Sequence, residues 1–156
     1  STRTNMAEEW RAVSAQSGSD DNWVILEVAG DTASCVAAGV GLSALVEALD
    51  ETKCQWAGLK AWGVDDLRSK RPKMIQINWV GPRVPPMKRM QALSGKEAAA
   101  NVFQGMAISM DCSDKSDLQM APLASQLLAC GGAHKPTHYD FGNNETITLA
   151  ELGYTV

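Results

Sequence analysis

The sequence predicts an α/β domain of the α+β type, built on a central sheet of about five strands with helices on both faces. Three observations carry that expectation. WVILEV (residues 23–28) is an apolar run with little alternation, as expected of a strand covered on both sides. Leu42, Leu45, Val46 and Leu49 recur at i, i+3, i+4 and i+7, the stripe of a helix with one buried face. Finally, 156 residues at 45% hydrophobic and 21% charged match ordinary globular usage in a length that suits one domain.

The elements follow in order. Asn5-x-x-Glu8 has the form of a capping box, and Met6, Trp10 and Val13 continue at helical spacing, which predicts a short N-terminal helix. SGSDDN (17–22) ends it. After strand 23–28, Ala29-Gly30-Asp31 is turn chemistry, and residues 34–38 complete a hairpin. The helix carrying Leu42 to Leu49 precedes two adjacent strands, CQWAGLKAWGV (54–64) and MIQINWV (74–80), joined through DDLRSKRPK. Pro85-Pro86 suits the first turn of a helix running to about Asn101, with a weak point at Gly95. Residues 105–111 form a fifth strand, and Leu118 to Cys130 a last helix stopped by Gly131-Gly132. The domain spans 1–132, and 133–156 reads as a loosely attached tail.

Charge is unevenly spread. The formal net charge is −4, yet between Asp65 and Lys96 stand eight basic residues and two acids. Lys70, Arg71 and Lys73 precede the apolar strand 74–80; Arg83, Lys88 and Arg89 follow it. A basic patch on an acidic body implies a negatively charged partner met by one face. Its rival reading is a set of solvated strand ends that discourage edge pairing. A seven-residue strand spans about 23 Å, so the two groups act as one patch only if the fold brings them together.

Other chemistry has weaker support. Gly39-Val-Gly41-Leu-Ser-Ala44 mimics a relaxed dinucleotide-binding turn, but it follows a hairpin strand and lacks the later acid that would hold a ribose. His134 and His138 are separated by Pro136, which breaks the helix a two-histidine metal site would need. The four cysteines, Cys35, Cys54, Cys112 and Cys130, lack CxxC spacing and read as free buried thiols in a reducing compartment. The five tryptophans fit core packing better than base stacking. Met87 and Met90, beside Lys88 and Arg89, suit either a core edge or an adaptable contact surface. No apolar run approaches ~20 residues, and STRTNMAEEW holds no signal-peptide core. A cytoplasmic protein is expected.

The run Ser69-Lys70-Arg71-Pro72-Lys73-Met-Ile-x-Ile-Asn-Trp79-Val-Gly81 resembles the actin-depolymerising factor homology family, most closely its coactosin-like branch. Arg11-Ala12, Trp23-Val24 and Leu128-Ala129-Cys130-Gly131-Gly132-Ala133 extend the resemblance over roughly residues 4–133. It implies that family's fold, a mixed sheet between helices, and a non-enzymatic, monomeric protein of the actin cytoskeleton without cofactor or metal. It also implies that Lys73 contacts the sides of actin filaments, with Lys70 and Arg71 beside it. Lys88 and Arg89 match the start of the long helix that relatives place against actin. The lysines that relatives often carry in the last helix have no counterpart between Leu118 and Cys130. Two alternatives share the same residues: a cofilin-like monomer-binding or severing activity through the helix, and binding of phosphoinositides or RNA by the basic patch alone. The acidic body disfavours nucleic acid.

Overall fold

A computed structural model describes residues 10, 11, 13, 21–30, 32–65, 69–90, 92–131 and 136–154. The capping box at Asn5 and Glu8, with Met6, lies outside them; Trp10, Arg11 and Val13 are helical, and Trp10 and Val13 are buried. Five strands form the main sheet: β1 (Trp23–Ala29), β2 (Thr32–Gly39), β3 (Cys54–Val64), β4 (Lys70–Val80) and β5 (Ile108–Cys112). Their spatial order is β2-β1-β3-β4-β5. All neighbours are antiparallel except β4 and β5, which run parallel, so the sheet is mixed. The parallel pair is joined by helical segments α2 (Pro86–Met90) and α3 (Ala92–Val102). Helix α1 (Leu42–Ala48) follows β2. A 3₁₀ turn (Lys115–Asp117) and helix α4 (Met120–Cys130) follow β5, so the last helix begins two residues later than its sequence pattern suggests.

Side-chain alternation assigns the two faces. Ala57, Leu59 and Ala61 of β3 and Ile75, Ile77 and Trp79 of β4 point to one side, where Leu42, Leu45 and Leu49 meet Leu123, Ala124 and Leu127 of α4. Val24, Leu26 and Trp56 point to the other, beneath Ala99, Phe103 and the N-terminal Trp10 and Val13. Trp10 meets Phe103 edge-on at 5.0 Å, above Gly58, where any side chain would collide with both rings. Gly95 is no weak point: it seats the Trp56 ring against α3, with no room for a Cβ. Four tryptophans are core residues and Trp62 is half-buried. Cysteine burial differs from expectation, because only Cys112 is buried, Cys35 and Cys54 are partly so, and Cys130 faces solvent.

Two corrections bear on function. The strand expected at 74–80 begins at Lys70, since β3 and β4 pair without interruption from Cys54↔Val80 to Val64↔Lys70. Lys70, Arg71 and Lys73 therefore belong to the strand and alternate in direction. Nor are the described residues of 136–154 a loose tail. They contribute β6 (His138–Asp140) and β7 (Thr146–Thr148), with β6 pairing antiparallel to Trp62–Val64 of β3. Tyr139, Phe141, Ile147 and Leu149 are buried in the main core, and that burial outweighs the polar composition that suggested a tail.

Candidate functional site

Asp65 and Ser69 tie the end of the β3–β4 ribbon together. Ser69 donates its N–H to the Asp65 carboxylate at 2.9 Å, and Asp65 N–H donates back to the Ser69 carbonyl at 3.1 Å. The backbone bond of this pair lies one position past Val64↔Lys70, the last paired rung of β3 and β4. Arg71 opposes Gly63 and Lys73 opposes Ala61, so both extend the line of Ile75, Ile77 and Trp79. Lys70 opposes Val64 and shares the other face with Met74 and Gln76. Lys70 and Arg71 are exposed and Lys73 is half-buried. The end of the ribbon is four strands wide, because β6 and β7 continue it outward: Arg71, Gly63, Tyr139 and Ile147 form one rung. Tyr139 and Pro136 pack over Gly63. Burial raises the Tyr139 hydroxyl above its ordinary value, so it remains an uncharged strut.

Ion pairing separates available cations from committed ones. Arg83 pairs with Glu51 at 3.5 Å and Lys96 with Asp111 at 3.3 Å. Arg89 donates Nε to the Val84 carbonyl and Nη2 to the Pro82 carbonyl, both at 3.1 Å, and so holds the loop that enters α2. Lys70, Arg71, Lys73 and Lys88 have no carboxylate within 4 Å among the described residues. Three of these four stand at one end of β4.

The structure does not join the two halves of the basic sequence. Lys88 lies beside Cys54, whose thiol approaches the Lys88 carbonyl at 3.9 Å, and Cys54 pairs with Val80 at the far end of β4. Ten strand steps separate Lys70 from Val80, roughly 33 Å. Two basic surfaces therefore exist. The one at α2 is also apolar: no residue of Pro86–Met90 is buried, and Met87, Met90 and Leu93 are 78%, 81% and 75% exposed. Their spacing of three along helical segments marks a stripe that covers nothing among the described residues. Leu93 escaped the sequence reading, although its distance from Met90 was the available signal.

Between α3 and the adjoining ends of β1 and β3 lies a cleft of about 560 Å³, lined by Glu27, Lys53, Cys54, Trp56, Lys88 and Gly95 among others. Glu27 is taken there by Lys53 at 3.5 Å and by the Gln55 amide at 2.9 Å. Burial raises the Cys54 thiol against the opposing pull of Arg89 and Lys88, which leaves it a poor nucleophile. The glycine turn at 39–41 is likewise filled from within. Both oxygens of Glu145 accept from the Ser43 N–H, at 3.2 and 3.1 Å, and one accepts from its hydroxyl at 2.9 Å. A carboxylate of this chain thus sits where a dinucleotide-binding turn would receive phosphate. His138 starts β6, and the described residues contain no group of three or more metal-ligating side chains. No described helix is long and apolar enough to cross a membrane.

Comparison with known proteins places this geometry. Residues 2–128 match the family model of cofilin/tropomyosin-type actin-binding proteins. Mouse drebrin-like protein is 25% identical over 131 residues, covering 82% of this chain but 29% of that protein, so the chain spans under a third of the curated relatives it matches. Among solved structures, human coactosin-like protein superposes with a TM-score of 0.71 at 22% identity, covering 81% of this chain and 95% of that one. Mouse coactosin, described as an actin filament binding protein, gives 0.67 at 23% identity over 83% and 91%. The fold is that of the coactosin-like proteins.

Proposed function

The chain belongs to the cofilin/tropomyosin-type actin-binding family, and on that premise we propose that it is a non-catalytic domain of the coactosin-like kind that binds the sides of actin filaments. The observation that carries this reading is the ribbon end: Lys70, Arg71 and Lys73 stand without acidic partners among the described residues, on a chain whose formal net charge is −4. Uncommitted cations on a rigid, four-stranded support suit an acidic protein surface. Each contact contributes roughly 1.5–3 kcal/mol where water is excluded and far less at a wet rim.

Co-sedimentation with actin filaments at two salt concentrations tests it. The protein should pellet with filaments, less so at high salt, and Lys70→Ala with Arg71→Ala and Lys73→Ala should abolish pelleting while leaving the circular dichroism spectrum unchanged. Full binding by the folded triple variant sinks the assignment. The same assay with phosphoinositide-containing vesicles in place of filaments shows whether the cations read any anionic surface.

A second reading rests on the exposed Met87, Met90 and Leu93. Apolar anchors flanked by Lys88 fit a helix laid into a groove of the actin monomer, the contact a depolymerising or severing activity needs. Met90→Asp would then weaken monomer binding by at least tenfold and leave filament pelleting intact.

A further inference from the structure

The backbone bond from the Asp65 N–H to the Ser69 carbonyl sets Ser69 opposite Asp65, one position past the paired rungs of β3 and β4. Alternation along β4 puts Ser69 on the same face as Arg71 and Lys73, two and four residues on, about 7 and 13 Å along the strand. Ser69 is exposed, and its hydroxyl makes no hydrogen bond among the described residues. Its N–H holds the Asp65 carboxylate, so Ser69 is tied through its backbone and not, among the described residues, through its side chain. In sequence Ser69 is bracketed by Arg68 before and Lys70 and Arg71 after, a strongly basic setting on both sides.

We propose that Ser69 is a phosphorylation site for a protein kinase selective for basic sequences, and that the phosphate switches off the ribbon-end surface. The inference rests on the filament-binding reading of Lys70, Arg71 and Lys73. In the transfer, Ser69 Oγ bonds to the γ-phosphorus of a nucleoside triphosphate, the bridging oxygen leaves with the nucleoside diphosphate, and the hydroxyl proton passes to the kinase's base. The product carries about −1.5 to −2 charges at neutral pH. That cancels Arg71 and Lys73 on their shared face, and the phosphate lies within bidentate reach of the Arg71 guanidinium. A cation paired within its own chain is lost to a partner. The Asp65 carboxylate, fixed beside the Ser69 N–H, then opposes the new anion and weakens that hydrogen bond.

Two experiments on the full chain test this. Incubation with magnesium-ATP and a protein kinase C catalytic domain, followed by fragment mass spectrometry, should place one phosphate on Ser69; an unmodified Ser69 beside an efficiently phosphorylated added peptide overturns the acceptor assignment. Separately, protein carrying phosphoserine at position 69 by translational incorporation is compared with the unmodified chain and Ser69→Ala in filament co-sedimentation. Ser69→Ala should bind as the unmodified chain does, and the phosphorylated form at least tenfold more weakly, with restoration by phosphatase. Equal binding by both forms overturns the switch alone. Absence of binding by the unmodified chain overturns the filament reading and the switch with it.

Discussion

The side-chain amide of Asn22 donates to the carbonyl of Phe141 at 2.7 Å, joining residues 119 positions apart at the point where β1 begins and β6 ends. The same amide reaches the Lys60 carbonyl at 3.0 Å, and its oxygen accepts the Gly41 N–H at 2.8 Å. Asn22 is 1% exposed, so none of these groups has water as a substitute. Asn22→Ala would leave two carbonyls and one N–H buried and unpaired. At ~1 kcal/mol or more for each, the loss should be about 3 kcal/mol, read from the urea midpoint. A loss below about 1 kcal/mol would show that the C-terminal strands are held by apolar burial alone.

Glu145 performs a local task from a distant part of the chain. Helix α1 has Gly41 in its N-cap position and no acid in its first turn, so its free N–H groups depend on the Glu145 carboxylate. Glu145→Ala should cost about 1 kcal/mol, and Glu145→Gln somewhat less because it retains an acceptor and loses the charge at the helix start. Equilibrium unfolding of the two variants checks the order.

These two residues also show where sequence patterns stop being informative. Strands β1 and β3 were legible because long apolar runs carry their own period, and α1 because its stripe is strict. Asn22 lay in a stretch whose composition signals only a break, and Glu145 in one that resembles a tail. Both act through partners far along the chain, and β6 and β7 are three residues each, too short to display alternation. At the candidate site the identities of Lys70, Arg71 and Lys73 were readable, but their orientations depended on where β4 begins. The separation of the six cations into two surfaces follows from the length of β4, which even a seven-residue strand allowed; the boundary error of four residues concealed how the three cations at its start face.

Trp79 and Gly81, which look like a recognition signature in the sequence, serve the fold. Trp79 Nε1 donates to the Asp50 carbonyl at 2.7 Å, and Gly81 lies so close to Glu51 that an added Cβ would stand 2.1 Å from its carbonyl oxygen. Both lock the β3 entry loop onto β4. Gly81→Ala must displace backbone and should cost about 1–3 kcal/mol. Thermal unfolding measures it; filament binding per folded molecule should stay unchanged.

The same loop predicts acid sensitivity. Asp50 is held below the ordinary carboxylate value near 3.8, first by the Thr52 hydroxyl, which it accepts at 2.6 Å, then by the Thr52 N–H at 2.8 Å. Asp114 is lowered in the same way by the Ser116 N–H at 2.9 Å. Because the folded carboxylates bind protons less readily than the unfolded ones, their contribution is complete above about pH 4 and is lost as pH falls through the lowered folded values. Asp50→Asn with Asp114→Asn should flatten the dependence of stability on pH below 4 and leave its slope between pH 5 and 7 unaltered. An unchanged acid slope would mean that other carboxylates set it.

The division of the ribbon end into faces yields the sharpest test of the proposed binding surface. Arg71 and Lys73 share one side and Lys70 takes the other, so three equal contributions are not expected. Lys73 is half-buried, so its side chain loses less freedom on contact than a fully exposed lysine would. Arg71→Ala with Lys73→Ala should therefore weaken filament co-sedimentation by at least a hundredfold, and Lys70→Ala by less than tenfold. Charge arithmetic alone would rank removal of two cations at twice the logarithmic effect of one, whichever residues were chosen. A Lys70→Ala with Arg71→Ala pair equal to the Arg71→Ala with Lys73→Ala pair would show that filaments sense net charge at the end of β4, and that its facing does not matter.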